Sequence, residues 1–76
     1  MIGRMASADI SVIIPMRNLE QEIAGIVRSV ADQVPDLQVE YIIVDMGSSD
    51  RGVLEALSVI KESKLRGYVV QNGTGT

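Results

Sequence analysis

The stretch Tyr41–Asp50 (YIIVDMGSSD) restricts the possible folds more than any other part of the chain. Tyr41-Ile42-Ile43-Val44 is a continuous apolar run rich in β-branched side chains, with turn residues after it. A run of that kind suits a strand buried on both faces, the environment of a parallel sheet. It ends on a carboxylate, Asp45, and Gly47 then allows the backbone to reverse sharply. Ser48, Ser49 and Asp50 are residue types that cap helix N-termini. The stretch therefore predicts strand, tight turn and helix start. It puts Asp45 at the carboxyl end of the strand, where open α/β sheets bind ligands.

The flanking sequence repeats this order. Ile10-Ser11-Val12-Ile13-Ile14-Pro15 predicts a first strand closed by a proline that has no N–H for a ladder. After a short loop at Met16-Arg17, Asn18 with Gln21 has the spacing of a capping box. Ile23, Ile26, Val27, Val30, Ala31 and Val34 recur on one helical face, with Gly25 as a weak point and Pro35 as the stop. A second helix, capped by Ser49 or Asp50, is expected to turn Val53, Leu54, Leu57, Ile60 and the stem of Lys61 inward. Lys61, Lys64 and Arg66 complement its C-terminal dipole, and Gly67 is placed to end it. Tyr68-Val69-Val70 predicts a short third strand, and Gln71–Thr76 a closing loop.

The expected fold class is α/β, a three-stranded parallel β-α-β-α-β unit with right-handed crossovers. With sheet order 3-2-1, both helices cover one face. The other is left bare, although Val12 and Ile14 alternate with Ile13, and Ile42 and Val44 with Ile43, all apolar. Such a face rarely persists uncovered. The expected cover is a second copy, making a homo-oligomer (a dimer), or a missing C-terminal half.

Composition narrows the function. Seventy-six residues make at most one small domain, read as a flexible leader over 1–8 and one α/β unit over 9–76. A net charge of −3, with no Phe or Trp, argues against nucleic acid as a partner. Without cysteine there is no disulfide or thiolate site, and without histidine the commonest general base is missing. No transmembrane segment is read, the apolar runs being short, and a cytoplasmic location is expected.

Three loops converge at the carboxyl edge: Pro15–Asn18, Asp45–Asp50 and Gln71–Thr76. Asp45 is placed to accept hydrogen bonds from a ribose or a base edge, and equally to cap the turn that follows it. Arg17 has the chemistry to meet a phosphate or stack on a base, or to stay solvated. Asn18 and Asp50 read first as helix caps, and Met16 and Met46 as loop packing. The loop PMRNLE has no glycine, which argues against a dinucleotide G-x-G-x-x-G site, and no phosphate-binding G-x-x-x-x-G-K-[ST] loop is present.

Two blocks carry a resemblance. SVIIPMRNLEQEIAGIVRSVADQ followed by EYIIVDMGSSDRG resembles the start of family 2 glycosyltransferases, whose fold is the type A nucleotide-diphospho-sugar transferase fold. Ser11 to Pro15, Asn18, Glu22, Ile23, Ser29 and Gln33 match the first block. Ile43, Val44, Asp45, Gly47, Ser48 and Asp50 match the second, at the right spacing. The resemblance spans residues 10–72 and implies an incomplete, Rossmann-like half of that fold. It also implies sugar transfer from a nucleotide diphospho-sugar donor to an acceptor. Pro15, Met16, Arg17 and Asp45 would line the nucleotide pocket, with Ser48 and Asp50 shaping the turn.

The chain departs from the family pattern at Arg17, usually tyrosine, at Leu19, usually glutamate, and at Met46, usually a second aspartate. The family's metal-binding DxD motif and catalytic base lie downstream of this stretch. No catalytic residue, metal ligand or cofactor is therefore expected within the chain; Mg or Mn belongs to a complete enzyme, and the isolated chain is expected to be inactive. The alternative is a non-catalytic α/β module for oligomerisation or regulation. A third reading is another nucleotide-binding α/β domain without glycosyl transfer.

Overall fold

The computed structural model describes residues 8–72. Most of the expected leader (1–7) and the end of the closing loop (73–76) lie outside the described residues. The described chain runs β1 (Ile10–Met16), α1 (Ile23–Gln33), β2 (Val39–Asp45), α2 (Gly52–Glu62) and β3 (Arg66–Gln71). The strands form one parallel sheet in the order β1-β2-β3, so the β-α-β-α-β unit stands as expected.

Both helices lie on one face. Ile14, Met16, Tyr41 and Ile43 from the sheet pack with Ile23 and Val27 of α1 and with Ala56, Val59 and Ile60 of α2 in a single buried cluster. The opposite face carries rows set by the register: Ser11-Glu40-Arg66, Ile13-Ile42-Tyr68 and Pro15-Val44-Val70. Only the first row is polar, and there the Ser11 hydroxyl donates to the Glu40 carboxylate at 3.0 Å. Ile13 is 66% exposed, and Tyr68 and Val70 are also exposed, so the expected bare face is present among the described residues.

Several local expectations need correction. Asn18 does not cap α1: the helix begins at Ile23 with Glu22 at its N-cap, and Asn18 sits in the left-handed region at φ 53°. The Leu19 carbonyl instead accepts the Glu22 and Ile23 N–H groups at 3.0 and 2.9 Å. The inner face of α2 is Gly52, Ala56, Val59 and Ile60, whereas Leu54 and Leu57 are 54% and 46% exposed. Small residues let this helix lie close on the sheet, and larger side chains are turned away. Gly67 does not end α2. Lys64 takes the left-handed position at φ 55°, and Gly67 is already inside β3, which starts at Arg66.

The reason for a glycine at 67 is close approach to β2. A Cβ there would lie 2.5 Å from the Tyr41 carbonyl oxygen and 2.9 Å from its Cβ. At Gly25 on α1, by contrast, a Cβ would meet nothing within 4 Å. Gly67→Ala is therefore expected to destabilise the fold by about 1–3 kcal/mol through overpacking. Gly25→Ala is expected to stabilise it by about 0.5–1 kcal/mol through helix propensity. Urea denaturation of both variants checks the pair; a neutral Gly67→Ala would contradict the close approach.

Candidate functional site

At the carboxyl edge β2 ends on Asp45, whose side chain is on the helix-covered side of the sheet and is only 4% exposed. Burying a carboxylate requires hydrogen-bond partners. The Ser48 N–H supplies one, lying 3.2 and 3.4 Å from the two Asp45 carboxylate oxygens. Asp45 thus closes the turn that follows it. Between them, Gly47 adopts φ 94°, a conformation that side-chain-bearing residues rarely accept. The same strand end holds both neighbours: the Met46 N–H donates to the Met16 carbonyl, and the Asn72 N–H to the Asp45 carbonyl, each at 2.8 Å.

The loops after β1 and β2 are fastened to each other by side chains acting on backbone. The Asn18 N–H donates to the Ser48 hydroxyl oxygen at 3.0 Å, and the Ser49 N–H donates to Asn18 Oδ1 at 2.8 Å. Asp50 serves two partners at once. Its Oδ1 accepts the Gly52 N–H at the start of α2 at 2.8 Å, and its Oδ2 accepts the Glu20 N–H from the other loop at 3.1 Å. The Glu20 carboxylate in turn accepts the Arg51 N–H at 3.4 Å. The N-cap of α2 is Arg51 and not Ser49 or Asp50 as expected; Asp50 instead reaches the helix start from one residue further back, through the Gly52 bond.

Pro15 and Arg17 are exposed and Ser48 is half-buried at this edge. Met16 faces the core and is fully buried, so it offers the edge its backbone and not its thioether. Leu19, where the family pattern has an acid, is half-buried against the core cluster. Asn18 and Glu20 join the loops, a role that the helix-cap reading of Asn18 did not anticipate. A local motif cannot show such bonds, because the partners lie 30 or 31 residues away.

Asp45 accepts from the Ser48 N–H and Asp50 from two backbone N–H groups, and among the described residues no three acidic side chains gather in one place. A cleft of about 540 Å³ lies at the opposite edge, near Gln38, Val39, Leu65 and Arg66, and shares no residue with the loops. Tyr41 also lines it, with its phenol pKa pushed above 10.0 by burial.

The sequence model described as glycosyl transferase family 2 matches residues 11–75, most of the chain. No curated protein and no solved structure gives a significant match.

The left-handed Asn18 and its bond to Ser49 are separable by substitution. Asn18→Gly keeps the backbone conformation and loses the Oδ1 acceptor, an expected cost of about 0.5–1.5 kcal/mol. Asn18→Ala also bears the left-handed penalty and is expected to cost about 1 kcal/mol more. Urea midpoints and exchange of the Ser49 amide report both effects. An Ala variant as stable as the Gly variant would contradict this geometry.

Proposed function

Because this chain belongs to glycosyl transferase family 2, we propose that its carboxyl edge holds the nucleotide end of a nucleotide diphospho-sugar donor, in a protein that transfers the sugar to an acceptor. The observation that carries the reading is the pair of loops fastened over Asp45 by Asn18, Ser48 and Asp50. They supply a ligand surface at the carboxyl end of a parallel sheet, where α/β folds bind ligands.

Each side chain has a definite task in this reading. Asp45 keeps lone pairs beyond the Ser48 bond and accepts a hydrogen bond from the ribose or the base. Pro15 and the backbone at Met16 form the floor of the pocket. Arg17, in place of an aromatic side chain, meets the base face or a diphosphate oxygen with its planar guanidinium. Ser48 holds the turn in shape. No catalytic role is assigned to any described residue of this chain; a general base must reach the acceptor hydroxyl. Mg or Mn is likewise assigned to none of these residues.

A second reading, a non-catalytic module, draws on two observations. Met46 stands where the family pattern has a second carboxylate, and the remaining one, Asp45, is engaged by its own turn.

Titration with UDP, GDP and dTDP, with and without Mn²⁺, separates the two when backbone amides are followed by NMR. The donor-binding reading expects saturable, weak binding with shifts confined to Met16–Asn18 and Asp45–Ser48. It also expects Arg17→Ala to weaken that binding roughly tenfold, the cost of one charge-assisted contact. An absence of shifts at millimolar nucleotide would sink it and favour the module.

A further inference from the structure

The two edges of the sheet are chemically unequal. The Met46–Met16 bond and the pairing of Met16 with Asp45 fix which residues of β1 serve β2. Val12, Ile14 and Met16 direct their backbone groups inward, while Ser11, Ile13 and Pro15 direct theirs to the outside. Pro15 has no N–H to offer there, which blunts this edge.

On the other side, the Asn72–Asp45 bond and the pairing of Asp45 with Gln71 set the opposite parity for β3. Arg66, Tyr68 and Val70 serve β2, so Gly67, Val69 and Gln71 present N–H and C=O groups outward. Among the described residues no strand lies beyond β3. The strand, RGYVVQ, contains no proline, and its one charged residue, Arg66, stands at its start.

We propose that β3 is a homotypic docking edge. A second copy of this chain pairs with it antiparallel, with Val69 facing the partner's Val69, and two three-stranded sheets become one. This register is selected by the backbone. Antiparallel residues exchange bonds only where both point outward, so Gly67 must face the partner's Gln71, Val69 the partner's Val69, and Gln71 the partner's Gly67. Counted over the strand residues Arg66–Gln71 alone, those three pairs exchange two bonds each, and a shifted register of the same six residues forms fewer.

The side chains agree with this arrangement. Tyr68 falls opposite the partner's Val70 on the bare face, where both are exposed, an aromatic and β-branched pair of the kind that stabilises sheets. Arg66 falls opposite the partner's Asn72, so no like charges meet. A two-fold axis satisfies both copies identically, as an isologous interface requires. A six-residue edge is short of the ~1,000 Å² expected of a lasting interface, so the pairing is weak and concentration-dependent. It makes no use of the loops around Asp45, and its failure would leave the donor-binding reading standing.

The absence of cysteine makes cross-linking a clean test. Tyr68→Cys and Val70→Cys chains are mixed and oxidised. In the proposed register these positions face each other as a non-hydrogen-bonded pair, within disulfide reach. The mixed disulfide is expected to exceed the larger homodisulfide about fivefold or more, because like positions are too far apart. A statistical mixture, or no cross-link, overturns the register.

Sedimentation over a concentration series gives a second measurement. Val69→Pro removes an N–H that β3 directs away from β2. Because the Val69 side chain also packs against the core cluster, the variant is expected to lower the unfolding midpoint and, where it stays folded, to raise the dimer dissociation constant about tenfold or more. If that variant does not fold, the cysteine mixture decides. An unmodified chain that stays monomeric up to its solubility limit overturns the proposal.

Discussion

The structure depends on one strand serving two neighbours. In β2 the residues Tyr41, Ile43 and Asp45 share one parity. Their backbone groups bond β3 and their side chains face the helices. Ile42 and Val44 have the other parity, bonding β1 and facing the bare side. A shift of one residue would exchange the two sets, turning the core outward and moving Asp45 to the open face. The buried carboxylate at the edge is thus a consequence of strand parity. Because it faces the helix layer, it needs the Ser48 N–H, and that need shapes the following turn.

Much of this was legible in the sequence, and for physical reasons. Apolar β-branched runs ended by Pro15 or by Gly47 and the serines leave little choice but strands, and the helix-period run from Ile23 to Val34 leaves little choice but a connecting helix. The alternation in β1 and β2 showed that both faces were apolar, and the structure leaves one of them bare. The place of Asp45, at the carboxyl end of β2, was legible from the sequence alone.

What was not legible depended on distant partners or on close packing. Asn18 has the spacing of a helix cap, yet its bonds to Ser48 and Ser49 outweigh the local option and move the helix start to Ile23. Leu54 and Leu57 looked like core on hydropathy, but the sheet accepts Gly52 and Ala56, whose small size brings the helix close. Gly67 looked like a helix stop because the Tyr41 carbonyl that excludes a side chain there belongs to another strand. In each case the deciding atom lies far along the chain, beyond the reach of any local pattern.

The hydrogen bonds between the two loops have a consequence for binding entropy. Immobilising a backbone residue costs about 1–2 kcal/mol, and a loop that orders around its ligand takes that cost out of the affinity. Here Asn18, Glu20, Ser48 and Asp50 are held by one another without any ligand, so the ordering is charged to folding. Under the donor-binding proposal, a nucleotide on this edge would meet a surface already shaped, and its affinity would reflect the contacts available to it, fewer by the carboxylate that Met46 replaces, and not the work of organising the loops. Substitutions among these four residues therefore act on the stability of the whole domain before they act on recognition.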